Sequence, residues 1–347
     1  MKNKDKSYLK PKVALITGIT GMVGSHLVEY LLANTDWNIV GLLRWRSPLD
    51  NLSKVIPQIN KGHRVRLVYG DLRDTLSIDA AVFDASPDYV FHLAAQSFPK
   101  TSFSAPLDTL DTNVQGTARV LEAVKKYRPD AIVHVCSSSE VFGRVKKEFI
   151  PIKEECGFHP ASPYAISKVG TDLIGRYYAE AFGMTIMTTR MFTHTGPRRG
   201  DVFAESSFAK QIALIEYGLL PPQVSVGNLD SLRTIADVRD AVRAYHMLVT
   251  INPKAGESYN IGGDHSCKVG DILKTLLENS NFKNKIDVVV DPERLRPIDA
   301  DLQVPDTSKF RKHTGWIPEI SYETTLLDLL NYWRERVSQD GDRFLSR

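Results

Sequence analysis

Val13-Ala14-Leu15-Ile16-Thr17-Gly18-Ile19-Thr20-Gly21-Met22-Val23-Gly24 is an apolar run that breaks into three evenly spaced glycines and then opens a helix. Gly18 permits a sharp turn, Gly21 leaves room for backbone to approach a phosphate, and Gly24 lets the helix beginning near Met22 pack close to the preceding strand. The N–H groups at the start of that helix face an anion. A tight strand-to-helix turn without ligand uses similar residues, so the glycines alone decide little. The strand before them and the amphipathic His26-Leu27-Val28-Glu29-Tyr30-Leu31-Leu32 after them make the stretch a dinucleotide pyrophosphate site.

Apolar runs recur at Val13 to Ile16, Asn38 to Leu43, Val65 to Tyr69, Tyr89 to Leu93 and Ala131 to Val135, and a sixth, Thr185 to Thr189, follows a long helical stretch from Ser162 to Phe182. Near-continuous apolar strands separated by helices predict a parallel sheet buried on both faces. Ligands of such a sheet bind beyond the carboxyl ends of its strands. Those ends carry Thr17-Gly18, Arg44-Trp45-Arg46, Gly70-Asp71, Ala94-Ala95-Gln96-Ser97 and Ser137-Ser138-Ser139-Glu140, which describe one continuous cleft. After Arg190 the chain turns to loops rich in Gly, Pro and Arg, with helices expected at Ser207 to Tyr217, Val238 to Val249, Val269 to Glu278 and Thr324 to Arg336. The expected fold is α/β, a Rossmann-type doubly wound parallel sheet with a smaller discontinuous α/β lobe. Residues 1–189 form the dinucleotide-binding domain, 226–265 return to it, and 190–225 with 266–347 form the lobe that closes over the cleft.

The 347 residues are 42% hydrophobic and 24% charged, with a formal charge of only +3. A nucleic-acid binder gathers a stronger basic excess on one element. The only basic cluster here, at Met1 to Lys6, reads as a solvated tail. No apolar stretch approaches the roughly 20 residues that span a bilayer, and the start lacks the apolar core of a secretory signal, so no membrane partner and a cytoplasmic location are expected. Cys136, Cys156 and Cys267 have no C-x-x-C spacing and the nine histidines no H-E-x-x-H pattern, which argues against a metal. His92 and His134 lie inside apolar strands and read as core residues with satisfied ring nitrogens.

Tyr164 and Lys168 form Y-x-x-x-K after Ser162-Pro163. On a helix, positions i and i+4 share a face, so the ammonium can lie beside the phenol and lower its pKa from about 10 toward neutrality. Such a tyrosinate can take a proton from a sugar hydroxyl. Tyr8 and Lys12 match the same pattern in the basic tail, and context separates the two. Before Tyr164 runs a strand ending Ser137-Ser138-Ser139-Glu140, which supplies a further hydroxyl and a carboxylate. Cofactor choice follows from the second strand: NAD sites place an acid there for the ribose 2′-hydroxyl, whereas a 2′-phosphate wants arginine. This chain offers Arg44-Trp45-Arg46-Ser47 and no acid until Asp50, so NADP is expected rather than NAD.

Together the glycine turn, Gly70-Asp71-Leu72, Leu93-Ala94-Ala95-Gln96-Ser97, Asn113-Val114-Gln115-Gly116-Thr117, Ser137 to Gly143 and Ser162-Pro163-Tyr164-Ala165-Ile166-Ser167-Lys168 resemble the extended short-chain dehydrogenases/reductases that act on nucleotide sugars. Gly18 to Gly21, Ala95 to Ser97, Gly196-Pro197-Arg198-Arg199-Gly200 and Gly227-Asn228-Leu229-Asp230 are similar to GDP-mannose 4,6-dehydratases. Ala209 to Ile212, Asp237 to Tyr245 and Arg294-Leu295-Arg296-Pro297 look equally like the partner reductase of GDP-4-keto-6-deoxymannose.

The resemblance implies catalytic roles for Ser138 (where dehydratases usually have Thr), Glu140, Tyr164 and Lys168. It implies cofactor contacts at Gly18, Thr20, Gly21, Met22, Val23, Gly24, Arg44, Arg46, Asp71, Leu72, Leu93, Ala95, Ser97, Tyr164 and Lys168. His194 and Arg199 join them, with a neighbouring subunit as one route by which they reach the cofactor. Substrate contacts are implied at Gln96, Ser138, Thr193, Asn228, Arg233 and Arg296, the two arginines meeting the diphosphate or ribose. Thr193 stands where dehydratases have Asn and Thr234 where they have Asp. Both departures adjoin the expected sugar site, which points to a sugar other than plain mannose, such as a heptose.

The implied reaction is an internal redox dehydration of a GDP-linked manno sugar to the 4-keto-6-deoxy product. A reductase would need only Tyr164, Lys168 and Ser138 and would consume NADPH; a 4-epimerase would return hydride to C4 from the other face. A non-catalytic nucleotide sensor on the same fold is the remaining alternative. Relatives assemble through helices near residues 109–127 and 162–182, so a homo-oligomer, dimer or tetramer, is expected.

Overall fold

The computed structural model of the chain describes residues 10–282, 284–295, 298 and 300–345. The strands are β1 (Val13–Thr17), β2 (Asn38–Leu43), β3 (Val65–Tyr69), β4 (Tyr89–His92), β5 (Ile132–Cys136), β6 (Ile186–Met191), β7 (His194–Thr195), β8 (Gln223–Val226), β9 (Leu232–Asp237), β10 (Ser258–Ile261), β11 (His265–Lys268), β12 (Asp287–Val290) and β13 (Leu302–Gln303). Among the described residues, seven of them form the central sheet in the order β10-β6-β5-β4-β1-β2-β3. Every pairing in it is parallel. The order reverses at β1, whose neighbours are β2 and β4, and that reversal opens the crevice where such sheets take ligand.

Both faces of the sheet are covered, which is why its strands read as unbroken apolar runs. Leu27, Val28 and Leu31 of the helix Met22–Asn34 pack one face with Tyr245 and Leu248 of the helix Val238–Thr250. Ile78 and Val82 from the helix Thr75–Ala85 pack the other with Val120 and Val124 from Gly116–Tyr127. A separate core joins Phe208 and Ile212, Ile272 and Leu273, and Leu326, Leu329 and Trp333, from the helices Ala204–Glu216, Val269–Glu278 and Tyr322–Asp340. It sits beside a four-stranded sheet of β11, β9, β13 and β7 and a β8–β12 pair.

Two details differ from the expected division of the chain. Of the segment expected to return to the main sheet, β10 does so, while β9 belongs to the smaller one. In the other direction, Phe310 and Trp316 leave the C-terminal lobe and bury in the first core. Trp316 is fixed there because its indole donates to the Asp240 carbonyl at 3.1 Å. Neither swap is visible in periodicity, since an apolar side chain carries no address for which core it fills.

His92 and His134 are buried in β4 and β5. Nδ1 of His92 meets Thr17 Oγ1 at 2.9 Å and its Nε2 meets Thr117 Oγ1 at 3.0 Å. His134 pairs Nε2 with Thr189 Oγ1 at 2.8 Å, but its Nδ1 has no partner, which corrects the expectation of two satisfied rings. Burial pushes both pKa values down from 6.5 to about 3. Each ring is therefore neutral when folded and charged when unfolded below pH 6.5, so its contribution is complete above that pH and is lost as pH falls toward 3. Below pH 6 these two groups alone make unfolding free energy fall by about 2.7 kcal/mol per pH unit. Urea midpoints measured from pH 7.5 to 4.5 should fall accordingly, and the fall should be shallower in His134→Phe.

Candidate active site

The turn after β1 is held open for a phosphate by contacts no side chain could make. Gly18 has φ of +74°, and a Cβ on it would lie 2.9 Å from the Ala94 Cα. A Cβ on Gly24 would strike the Gly18 carbonyl and lie 2.7 Å from the Ile19 Cα. Gly21 is the N-cap of the helix, and with no side-chain cap there the first-turn N–H groups of Met22, Val23 and Gly24 face the crevice. Thr20 is braced from behind by Asn51, whose amide donates to its carbonyl at 2.9 Å. Glycine cradle and uncapped helix start together fit a dinucleotide pyrophosphate.

Along the neighbouring strand ends, Arg44 and Arg46 are exposed after β2, Leu72 is buried, and Asp71 is half-buried. Arg73 hydrogen-bonds Asp71 and, with a smaller pull from Arg44, holds its carboxyl below the usual range. Thr17 Oγ1 accepts from the N–H groups of Leu93 and Ala94 at 3.1 Å each, binding the β4 end to the β1 end. Ala95 is half-buried and Ser97 exposed. Gln96 is turned into its own loop: its amide donates to Thr109 Oγ1 at 3.0 Å and accepts from the Phe98 N–H at 2.6 Å.

The catalytic candidates meet at the end of β5. The helix Pro163–Phe182 starts from a Ser162 cap with Pro163 in its first turn, which places Tyr164 at the helix mouth. Ser138 caps the short turn Ser139–Phe142 by accepting from the Glu140 N–H at 3.2 Å, and it also hydrogen-bonds the Tyr164 phenol. Burial nonetheless drives the Tyr164 pKa well above its usual value; Ser138 and Arg199 draw it down and Glu140 pushes it up. This reverses the expectation of a phenol lowered by Lys168. The lysine is itself buried, which lowers its pKa, and its ammonium donates to the Cys136 carbonyl at 2.7 Å.

Asn113 carried no role in the sequence reading, yet it organises this corner. Its Oδ1 accepts from the Gln96 N–H at 2.8 Å, while its Nδ2 donates to the Gln96 carbonyl at 2.9 Å and to Ser167 Oγ at 2.8 Å. It lies in a π-helical turn, Asp111–Gln115, and this poor helix former inside a helical stretch was the available signal. Asp172 and Arg190 were also missed: Nε and Nη2 of the arginine bond both carboxylate oxygens, at 2.8 and 3.0 Å, and tie the tyrosine helix to β6.

The far wall comes from the lobe. His194 donates from Nδ1 to the Phe192 carbonyl at 3.2 Å, and burial with Arg199 lowers its pKa to about 4. Arg199 bonds Glu205 at 3.0 Å and stacks on the Phe203 ring at 3.5 Å, and its charge favours ionisation of the Tyr164 phenol. Phe203 meets Phe98 edge-on at 5.9 Å, and Lys100 reaches the Glu293 carbonyl at 2.9 Å, so the two walls touch across the cleft. Thr193 is half-buried, its carbonyl accepting from the Ala236 N–H at 2.9 Å. Asn228 binds Ser231 Oγ at 3.0 Å, and Arg233 donates to the Ala300 carbonyl at 2.6 Å. Arg296 lies outside the described residues. Thr234, on the side of β9 opposite to Arg233 by strand alternation, bonds Ser266 Oγ at 2.7 Å.

Residues 15–329 match the family described as GDP-mannose 4,6 dehydratase. GDP-mannose 4,6 dehydratase 1 of Arabidopsis thaliana is 33% identical over 98% of this chain and 96% of its own. The GDP-6-deoxy-D-mannose reductase of Pseudomonas aeruginosa is 30% identical over 94% of this chain and 98% of its own. Among solved structures, RMD from Pseudomonas aeruginosa complexed with NADPH superposes with a TM-score of 0.79 at 29% identity, covering 94% of this chain and 100% of that one.

Replacing Asn113 by Ala leaves the Gln96 N–H and carbonyl without these partners, while Ser167 keeps its bond to the Tyr164 carbonyl, and should cost about 2 kcal/mol of unfolding free energy. Urea denaturation measures this, and Asn113→Asp, which keeps one acceptor, should recover part of it.

Proposed function

The chain belongs to the GDP-mannose 4,6-dehydratase family of extended short-chain dehydrogenases/reductases, and on that footing we propose that it is a GDP-sugar 4,6-dehydratase converting GDP-mannose or a GDP-manno-heptose to the 4-keto-6-deoxy sugar nucleotide. The observation that carries this reading is that Glu140 stands in the short turn capped by Ser138, whose hydroxyl also hydrogen-bonds the Tyr164 phenol. Oxidising a hydroxyl needs the phenol; a carboxylate beside it suits a second proton, on carbon.

A nicotinamide bound on the glycine turn supplies the hydride acceptor for C4 and the donor for C6. Tyr164 takes the proton of the 4-hydroxyl. Ser138 by hydrogen bonding and Arg199 by charge favour the phenolate against the burial that disfavours it, while Lys168 is held on the Cys136 carbonyl. Once C4 is a ketone, the C5 proton is acidic; Glu140 removes it and passes it to the departing C6 hydroxyl, which leaves as water, and as C6 is reduced C5 regains the proton that Tyr164 took from the 4-hydroxyl. Arg233, with Arg296, holds the diphosphate from the lobe.

NADP is favoured over NAD by Arg44 and Arg46, which stand exposed where a 2′-phosphate would lie. In this reading the sugar-binding lobe comprises 190–225 and 266–347 together with β9, anchored to the dinucleotide domain through Phe310 and Trp316. The protein works as a cytoplasmic homo-oligomer; no helix among the described residues is long and apolar enough to cross a membrane. Exposed Ile166, Leu173 and Tyr177 on one face of the tyrosine helix favour pairing of two copies there. A reductase is the second reading, favoured by the reductase relative at 30% identity.

Purified protein given GDP-mannose, or GDP-manno-heptose, without reductant should yield a product lighter by one water with no net NADPH consumed, as mass spectrometry reads. Unchanged substrate, with reduction of a 4-keto-6-deoxy nucleotide by NADPH, would install the reductase instead. Tyr164→Phe should slow either reaction by roughly a hundredfold or more; neither reaction in wild type, with nucleotide binding equal in both proteins, would point to a nucleotide sensor. Replacing Arg44 and Arg46 by Ser should weaken NADP binding by about tenfold or more while sparing NAD, as titration of protein fluorescence measures.

A further inference from the structure

Trp45 is held out in the open, unlike every other tryptophan of the chain. It is 76% exposed, while Trp37, Trp316 and Trp333 are 7%, 0% and 5% exposed. The Ser47 N–H donates to the Arg44 carbonyl at 3.0 Å, closing a turn with Trp45 and Arg46 at its centre. Tyr69, 56% exposed at the end of β3, sets its ring against the indole with 5.0 Å between centroids and 67° between planes. At that angle the two rings do not cover each other face to face, and the exposed indole is open to a third ring.

The pair is tied to the phosphate cradle by backbone. The Gly18 N–H donates to the Leu42 carbonyl at 3.1 Å and the Gly70 N–H to the Leu43 carbonyl at 3.0 Å, which fixes the ends of β2 and β3 beside the glycine turn. Asn51, six residues beyond Trp45 in the chain, returns to the Thr20 carbonyl at 2.9 Å. A dinucleotide with its pyrophosphate on that turn sets its adenosine ribose at the end of the second strand, and the base on that ribose gains by stacking on an aromatic face. Arg44 and Arg46, both exposed, flank the indole and suit the phosphates that such a base carries. They do not suit a second copy of the chain, since a twofold contact centred here would bring each arginine toward its own copy. We propose that Trp45, braced by Tyr69, is the platform on which the adenine ring of the cofactor stacks. This rests on the reading that a nicotinamide dinucleotide occupies the glycine turn.

Calorimetric titration of nucleotide-free wild type, Trp45→Ala and Trp45→Phe with NADP and with NAD tests it. Trp45→Ala should lose roughly tenfold in affinity for whichever dinucleotide the wild type binds, and by the same factor if it binds both, because both carry adenine. Trp45→Phe, which keeps an aromatic face, should recover most of that loss. Melting temperatures of the three unliganded proteins should agree, since the side chain is exposed. In wild type, acrylamide quenching of tryptophan fluorescence reads mainly Trp45 and should fall when the dinucleotide binds. An affinity of Trp45→Ala within about twofold of wild type, or quenching that the dinucleotide does not change, overturns the inference and leaves the cofactor reading standing. So does an affinity loss that comes with a lowered melting temperature and is not recovered in Trp45→Phe, which would mark the indole as structural. Quenching that falls with rising protein concentration in the absence of nucleotide would assign the ring pair to a contact between copies and overturn the inference too. A wild type that binds neither NADP nor NAD overturns the cofactor reading, and the inference with it, before any variant is compared.

Discussion

No side chain fits where Gly24 faces the Gly18 carbonyl, or where Gly18 faces the backbone of Ala94. These two approaches bring β1, the helix after it and the end of β4 within backbone contact of one another. Everything that meets at the cleft takes its place from that corner. Thr17, one residue earlier, extends the arrangement with its hydroxyl, which receives two backbone donors from β4 and contacts the His92 ring. His92 in turn reaches Thr117, so the switch point is cross-braced to the helix on the far side of the sheet.

A second brace runs through polar side chains that have left water. Asn113 binds the Gln96 loop to Ser167, Lys168 reaches the Cys136 carbonyl, and Arg190 grips Asp172. The helix bearing Tyr164 is thus tied to β4, β5 and β6 by partners that are costly to separate once buried. Such a helix does not drift, which proton transfer at hydrogen-bond range requires. The same burial sets the electrostatics: it raises the phenol, lowers the ammonium and keeps His194 neutral, with nearby charges as corrections.

Much of this was legible before any coordinates, because parallel strands buried on both faces read as apolar runs and their ends read as polar punctuation. β2 and β3 begin and end where the pattern placed them. Ser138, Glu140, Tyr164 and Lys168 fall together because three lie at one strand end or one helix start and the fourth a turn along. What could not be read was direction. Periodicity does not say that Gln96 folds back on its own loop, that Thr234 bonds Ser266, or that Lys168 chooses a carbonyl over the phenol four residues away. Those outcomes depend on which groups lose water together, a property of the packed structure. The roles of Asn113 and Asp172 were hidden for the same reason, each being ordinary until its partner arrives.

The bridge between the two walls has a kinetic meaning. Among the described residues it includes one exposed hydrogen bond, from Lys100 to the Glu293 carbonyl, and one edge-to-face pair, Phe98 with Phe203. Together such contacts are worth about 1–3 kcal/mol. A latch that weak shuts by itself but is lifted by ordinary thermal motion, so it slows neither arrival nor departure much. What it does give is residence: a molecule bound behind it stays for as long as the contacts last, and the door need only be slower than the chemistry it covers.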